Sequence, residues 1–294
     1  NVSVVPLSLT LTDVLDNTNP ASRAVLDLVE VPSSQAITSP AQLSAPSLQG
    51  SGAYWMFMDD TRWPINGPDK TPLFPDGVDE NNFLLLPGAD GVGKDVDLGR
   101  SILEENSALV EDNVRARLGN PDWIFVLAGG GGGTGSACPV LHDTLERCLT
   151  SAGSSGKVVY VISKPTAQEL LNTTIAKNFE STLSSVTGYP HIVIDNERQL
   201  QLLRNKVGML NLYPVANKNF AKLLAQTFKL AATHTDVQTF DTKDLEKCLS
   251  TSGRILVGST VIRDTSRRDL GSAVLAGCIS ASPCPTPSNK SKTG

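Results

Sequence analysis

Short, nearly continuous apolar runs alternate along this chain with longer stretches whose apolar residues recur every three or four positions. The runs "VSVVPLSL" (2–9), "AYWMF" (53–57), "FLLL" (83–86), "WIFVLA" (123–128), "KVVYVI" (157–162), "HIVI" (191–194) and "RILVGS" (254–259) predict strands. Between them, 97–118 places Ile102, Leu103, Leu109, Val110, Val114 and Leu118 at helical spacing. Val140, Leu141, Leu145, Cys148 and Leu149 mark another helix, and 19–31, 167–186, 197–206, 244–250 and 267–280 predict more. Residues 216–233 carry Phe220, Leu223, Leu224, Thr227 and Ala231 on one face of a long helix. Such alternation predicts an α/β fold: a Rossmann-like, mostly parallel sheet with helices on both faces. Strands without a polar alternation fit a sheet covered on both sides.

Composition narrows the class without changing it. The chain has 294 residues, 40% of them apolar and 19% charged, enough for a large domain or two. A net charge of −5, spread along the chain, speaks against a dedicated nucleic-acid binder. The five cysteines show no C-x-x-C spacing, and their odd number fits reduced thiols better than a disulfide framework. No apolar run reaches 18 residues and no signal peptide stands out, so the expectation is a soluble, cytoplasmic protein without membrane insertion. The histidines, 142, 191 and 234, match no metal spacing, and His142 reads as a surface or interface residue.

Candidate chemistry gathers in "LAGGGGGTGS" (127–136), where five consecutive glycines follow a predicted strand and precede a predicted helix. Amides uncovered by side chains, next to the positive end of a helix, make an anion site, most often for phosphate. The hydroxyls of Thr134 and Ser136 add donors. Ligands of α/β sheets sit at the carboxyl ends of strands, where this loop is expected. A second loop, "GADGVGKD" (88–95), approaches the pattern G-x-x-x-x-G-K-[ST], but Asp95 stands where a phosphate loop needs a hydroxyl. A dinucleotide fingerprint within 129–134 lacks the acidic residue that should end the next strand, which closes with Ser163 and Lys164.

"GGGTGS" after an apolar strand resembles the signature loop of the tubulin/FtsZ superfamily, G-G-G-T-G-[ST]-G, with Ala137 at the last glycine. Further segments follow in that family's order. "GADGVGKDVDLGRSILEEN" (88–106) resembles its loop and helix over the γ-phosphate, and "VVYVISKP" (158–165) its next strand. "IVIDNERQL" (192–200), "YPVANKNF" (213–220) and "TFDTKDLEKCL" (239–249) resemble its base-binding segment, the start of its central helix and the loop after that helix. Three places depart from the family. Thr173 stands for an arginine, Thr239 for an asparagine, and "VSVVPLSLTLTD" lacks the family's first glycine-rich loop, leaving Thr10 or Thr12 as hydroxyl donors. These departures resemble a distant branch, of phage or plasmid type.

The resemblance implies a GTPase that polymerises head to tail and hydrolyses GTP at the interface between subunits. Phosphates would rest on Gly88, Ala89, Asp90 and Gly91 and on Gly129, Gly130, Gly131, Gly132, Gly133, Thr134, Gly135 and Ser136. Glu169 would bind ribose; Asn196, Tyr213 and Asn217 would bind the base, the asparagines by their paired donor and acceptor and the ring by stacking. Asp241 and Asp244 would act on the attacking water in the neighbouring subunit's site. GTP or GDP is the implied cofactor, with Mg²⁺ held mainly through phosphates, and the implied partner is another copy of the chain. The implied division is a GTP-binding domain at 1–214, a central helix at 215–235, the start of a shortened C-terminal activation domain at 236–281 and a flexible tail at 282–294. Taken singly, Asn196 also reads as a turn residue, Asn217 as a helix cap, Tyr213 as packing, Asp241 as a helix cap and Asp244 as a first-turn acid. Alternatives are a nucleotide-binding filament subunit with weak or no hydrolysis and a non-polymerising P-loop nucleotidase.

Overall fold

A computed structural model describes residues 2–7, 53–55, 57–59, 83–86, 92–118, 121–203, 219–220, 223, 242–258, 276, 278 and 283–284. Eight strands form among them: β1 (Val2–Leu7), β2 (Ala53–Trp55), β3 (Phe57–Asp59), β4 (Phe83–Leu85), β5 (Trp123–Gly129), β6 (Val158–Lys164), β7 (Pro190–Asp195) and β8 (Gly253–Ile255). The helices are α1 (Val96–Glu105), α2 (Ser107–Leu118), α3 (Thr134–Ala137), α4 (His142–Ser151), α5 (Thr173–Val186), α6 (Asn196–Leu203) and α7 (Thr242–Leu249). Short 3₁₀ turns cover Cys138–Leu141 and Glu169–Leu171.

Every strand pairing is parallel, in the order β4-β3-β1-β5-β6-β7-β8, with β2 also pairing β1. Chain order therefore reverses direction between β1 and β5. Strands to one side of β1 come early in the sequence, and those beyond β5 come late. A crevice opens above such a switch point, outside the carboxyl ends of the strands. The register sets Leu7 of β1 against Ala128 of β5, so both strands end at the same edge.

The apolar runs form strands because both of their faces are buried. Ile124, Val126 and Ala128 of β5, Val158, Tyr160 and Ile162 of β6 and Val193 of β7 share one core with Leu103, Val110, Val114, Leu141, Leu145 and Leu149 from the helices. Phe125, Leu127, Val159, Val161, Ile192 and Ile194 alternate with them and are equally buried. Glu111 ties α2 to α4 at the surface, one carboxylate taking both Arg115 and Arg147. The hydrogen bond from Arg147 holds the Glu111 carboxyl below its usual range.

Four expectations are corrected here. The helix expected over 97–118 breaks at Asn106, whose side-chain amide donates to Ile102 O at 2.8 Å and ends α1. The helix expected from 167 starts at Thr173 instead, because Asn172 caps it by accepting from the amides of Thr174 and Ile175. The expected flexible tail from 282 begins packed: Pro283 O accepts from the amide of Asp195 at 3.0 Å and Cys284 is fully buried. His142 is half-buried, stacked on Tyr189 at 3.6 Å between ring centroids, with Nδ1 3.1 Å from the Tyr160 hydroxyl. The helix expected over 19–31 lies outside the described residues. So does most of 215–235 and of 267–280, though residues 219, 220, 223, 276 and 278 are helical. Strand β8, from the segment assigned to the start of a second domain, pairs with β7 in the same sheet. Among the described residues no helix is long and apolar enough to cross a membrane.

The burial of His142 has a pH consequence. Desolvation lowers its pKa below the ordinary 6.5; Glu146 and Asp143 pull it back up, and Lys157 adds to the lowering. The unfolded chain then binds this proton more readily than the folded one, so stability is full above pH 6.5 and falls as pH drops through the depressed folded value. We expect the thermal midpoint to fall between pH 7.5 and pH 5.5, and His142→Gln to flatten that fall. An equal slope in the variant, followed by circular dichroism, would remove His142 as the cause.

Candidate functional site

The glycine run leaves the end of β5 at the switch point and enters a helical stretch that continues from Thr134 to Ser151. None of its glycines has a positive φ, so left-handed backbone is not why glycine is needed. Close approach is. A β-carbon at Gly130 would sit 2.7 Å from the Phe179 ring, and one at Gly131 2.8 Å from both Ile175 and Pro165. At Gly133 it would strike Val92 and lie 2.8 Å from Asp95 O; at Gly135 it would strike the backbone of Gly129. Gly129 and Gly132 differ, with no described atom within 4 Å of an added β-carbon. The loop is thus welded to its neighbours on one side and open at two positions.

The second loop meets the first through backbone. Val92, Gly93, Lys94 and Asp95 lead into α1, and Asp95 caps that helix, its Oδ1 accepting from the amides of Asp97 and Leu98 at 3.0 Å each. This explains the acidic residue where a phosphate loop would carry a hydroxyl. Gly99, one turn into α1, lies so near that a β-carbon would come within 3.1 Å of the Gly133 carbonyl. Asn178 of α5 clamps both loops. Its side-chain amide donates to Lys94 O at 2.9 Å and to Gly131 O and Gly132 O at 3.3 Å. Sequence reading missed Asn178, which sits on the inner face of a helix and follows no motif. Its burial among Ile175, Phe179 and Thr182 was the signal available, as a polar residue on an apolar stripe.

One group is left over. The Ser136 hydroxyl is buried, with the residue 4% exposed, and has no hydrogen-bond partner among the described residues. A buried hydroxyl without a partner costs about 1–3 kcal/mol, a cost that a ligand accepting its proton would remove. The bare loop amides, this hydroxyl and the open positions at Gly129 and Gly132 fit an anionic group.

Beside the loop, Ser163 joins two expected site segments. Its carbonyl accepts from the amide of Gly130 at 2.9 Å, and its hydroxyl accepts from the side-chain amide of Asn196 at 3.1 Å. Asn196 opens α6 at the end of β7, so its position on the same edge follows from the strands. Next to it, buried Asp195 pairs with Lys164 at 2.7 Å. Glu169 follows β6 on an exposed turn, where one carboxylate oxygen accepts from the amide and hydroxyl of Thr166, both at 2.8 Å. The structure thus brings Gly129–Ser136, Glu169 and Asn196 to the carboxyl edge of three adjacent strands.

Asp244 lies elsewhere. It is exposed in the first turn of α7, an eight-residue helix about 12 Å long. That helix ends just before Gly253, which pairs with Pro190, the first residue of β7. The turn joining α7 to β8 is therefore at the amino edge of the sheet. Gly88, Ala89, Asp90, Gly91, Tyr213, Asn217 and Asp241, with Thr10, Thr12 and Thr239, lie outside the described residues. Among the described residues no three His, Cys, Asp or Glu side chains gather as a metal cage.

Two predictions follow from the packing. Gly133→Ala should cost roughly 1–3 kcal/mol by overpacking against Val92 and Asp95, while Gly132→Ala should stay within about 1 kcal/mol. Denaturant midpoints of the two variants check this, and equal losses would contradict it. Ser136→Ala, without ligand, should raise stability by about 1 kcal/mol because it deletes an unpaired buried hydroxyl. A clear loss in the same titration would mean that the hydroxyl is satisfied.

No family model matches the chain. FtsZ of Buchnera aphidicola subsp. Baizongia pistaciae is 26% identical over 182 residues, which is 60% of this chain and 43% of that protein. The chain spans less than half the length of the curated relatives it matches. Among solved structures, CetZ from Methanosaeta thermophila superposes with a TM-score of 0.62 at 17% identity, covering 97% of this chain and 70% of its own. CetZ2 from Haloferax volcanii, a GTPγS-bound protofilament, gives 0.62 at 16%, covering 96% and 74%. The fold is thus the one these CetZ structures share. The sequence match to FtsZ and this shared fold point the same way: the chain is similar to proteins of the tubulin/FtsZ superfamily.

Proposed function

We propose that this chain binds guanine nucleotide at the carboxyl edge of its sheet and hydrolyses GTP between successive subunits of a head-to-tail filament. The observation that carries the reading is the glycine loop at the switch point, held open-faced by backbone packing and carrying a buried hydroxyl without a partner. The likeness to a GTPγS-bound protofilament supports the nucleotide and the filament.

In this reading, the amides of the Gly129–Gly135 loop, except that of Gly130 whose N–H is held by the Ser163 carbonyl, and the hydroxyls of Thr134 and Ser136 hold the phosphates, joined by Gly88, Ala89, Asp90 and Gly91. Glu169 offers its second carboxylate oxygen to the ribose. Asn196 turns its amide between Ser163 and the base edge, with Tyr213 stacking and Asn217 completing the hydrogen bonds. Mg²⁺, carried in on the phosphate oxygens, neutralises their charge. Asp244 and Asp241 act not on their own glycine loop but in the site of the next copy, where they orient or deprotonate water. Such a heterologous contact repeats without closing and yields an open filament. The setting is the cytoplasm, and the partner is another copy rather than nucleic acid or membrane.

A second reading, a filament subunit with weak hydrolysis, is favoured by Glu169 being drawn onto Thr166 and by Thr173 and Thr239 at family positions for arginine and asparagine. Sedimentation with GTP, GDP and ATP, beside phosphate release over a range of protein concentrations, separates the two. We expect GTP-dependent pelleting, turnover that rises steeply with concentration, and Asp241→Ala filaments that hydrolyse at least about tenfold more slowly. Pelleting without phosphate release selects the second reading, and turnover independent of concentration sinks the first.

A further inference from the structure

Lys94 holds a backbone conformation that its side chain disfavours. Its φ is +72°, which makes it the one non-glycine residue with positive φ among the described residues. A β-carbon in that region crowds the backbone, and residues kept there in folded proteins cluster at ligand sites. Gly93, immediately before it, has a φ of +57°, so a glycine was available one position away for the turn. The strain is held in place by the Asn178 clamp, whose amide nitrogen takes Lys94 O at 2.9 Å together with the carbonyls of Gly131 and Gly132.

That shared nitrogen fixes where the lysine stands. The carbonyls of Lys94 and Gly132 share one donor, so the two backbones lie close together, and a stem of about 6 Å puts the space over the glycine loop within range of the ammonium. The side chain is exposed and has no ion-pair partner among the described residues. Lys164, at the end of β6, is held by Asp195. Asp95 spends its carboxylate on the cap of α1 and does not neutralise Lys94. The donors of the loop itself are uncharged amides and hydroxyls, which cannot by themselves tell three phosphates from two by charge.

We propose that Lys94 reads the terminal phosphate, so that the site prefers nucleoside triphosphate over diphosphate. This rests on the nucleotide site proposed above and names the residue that sets its selectivity. The lysine acts as a point charge; no bond forms or breaks at it. Asn178 holds the backbone of this strained residue beside the glycine loop.

The test is calorimetric titration of the 294-residue chain with GTPγS and with GDP, in Mg²⁺ and below the concentration of assembly. Lys94→Ala and Lys94→Gly should weaken GTPγS binding about tenfold and GDP binding by less than about twofold, and Lys94→Arg should restore the preference. Lys94→Gly should also melt at or above the wild-type temperature without nucleotide, because glycine accepts the positive φ, so misfolding is not the cause of the loss. Lys157→Ala, with the same change in net charge at the start of β6, should leave the ratio of affinities unchanged. Equal weakening of both nucleotides, an unchanged ratio, or the same loss in Lys157→Ala overturns the inference while the site stands. A wild-type chain that binds neither nucleotide overturns the site and this inference with it.

Discussion

The site depends on one contact, the approach of backbone to backbone between the glycine loop and the turn that starts α1. Gly133 meets Val92 and Asp95, and Gly99 meets Gly133, at separations that leave no room for a methyl group. Two loops from distant parts of the chain thereby become one surface. Only because their carbonyls converge can one side chain, Asn178, bond Lys94, Gly131 and Gly132 together. A side chain at Gly133 would force the loops apart and undo the clamp as well as the contact. The conformational entropy lost by ordering consecutive glycines is offset by the packing that their absent side chains permit.

The character of the resulting surface follows from how it is built. Glycines that face inward are consumed by packing, whereas Gly129 and Gly132 stay uncovered. What the loop presents outward is mostly main-chain amide and hydroxyl, and these donors attract an anion without adding a buried charge that would need a partner in the empty protein. Charge enters from the rim, through Lys94, where water can solvate it. The buried polar pairs nearby, Asp195 with Lys164 and Asn196 with Ser163, are satisfied internally and fix the strand ends that frame the crevice.

How much of this was legible in the sequence varies with the kind of signal. The strands were readable because both faces of β5, β6 and β7 are buried, which writes a continuous apolar run rather than an alternation. The anion loop was readable because its context, strand then glycines then helix, has a local physical meaning. The break at Asn106 was not, since the apolar spacing continues across it and only a side-chain bond to Ile102 O ends the first helix. Nor was Asn178, whose role is set by two loops 84 and 46 residues away. His142 was read as a surface or interface residue for a related reason: its environment is made by Tyr160 of β6 and Tyr189 just before β7, which follow it in the chain. Local pattern predicts elements, while the identity of a clamp or a buried histidine is decided by what the fold later brings beside it.

A parallel sheet also separates its two ends chemically, and this bears on how hydrolysis would be arranged. All strands point one way, so every loop after a strand, the glycine run included, lies on the carboxyl edge, and the turn from α7 into β8 lies on the amino edge. Strand β7, six residues long, spans about 20 Å between those edges. Laterally, β8 stands three strands from β5, or about 14 Å at the usual spacing. An acidic side chain in the first turn of an α7 only about 12 Å long is poorly placed to serve its own glycine loop. Stacking copies with carboxyl edge against amino edge removes that separation without deforming either subunit. In the proposed filament, the polarity of the parallel sheet would therefore be the reason that the phosphate site and the carboxylates come from different chains, and an isolated subunit would hold nucleotide while lacking the groups that act on it.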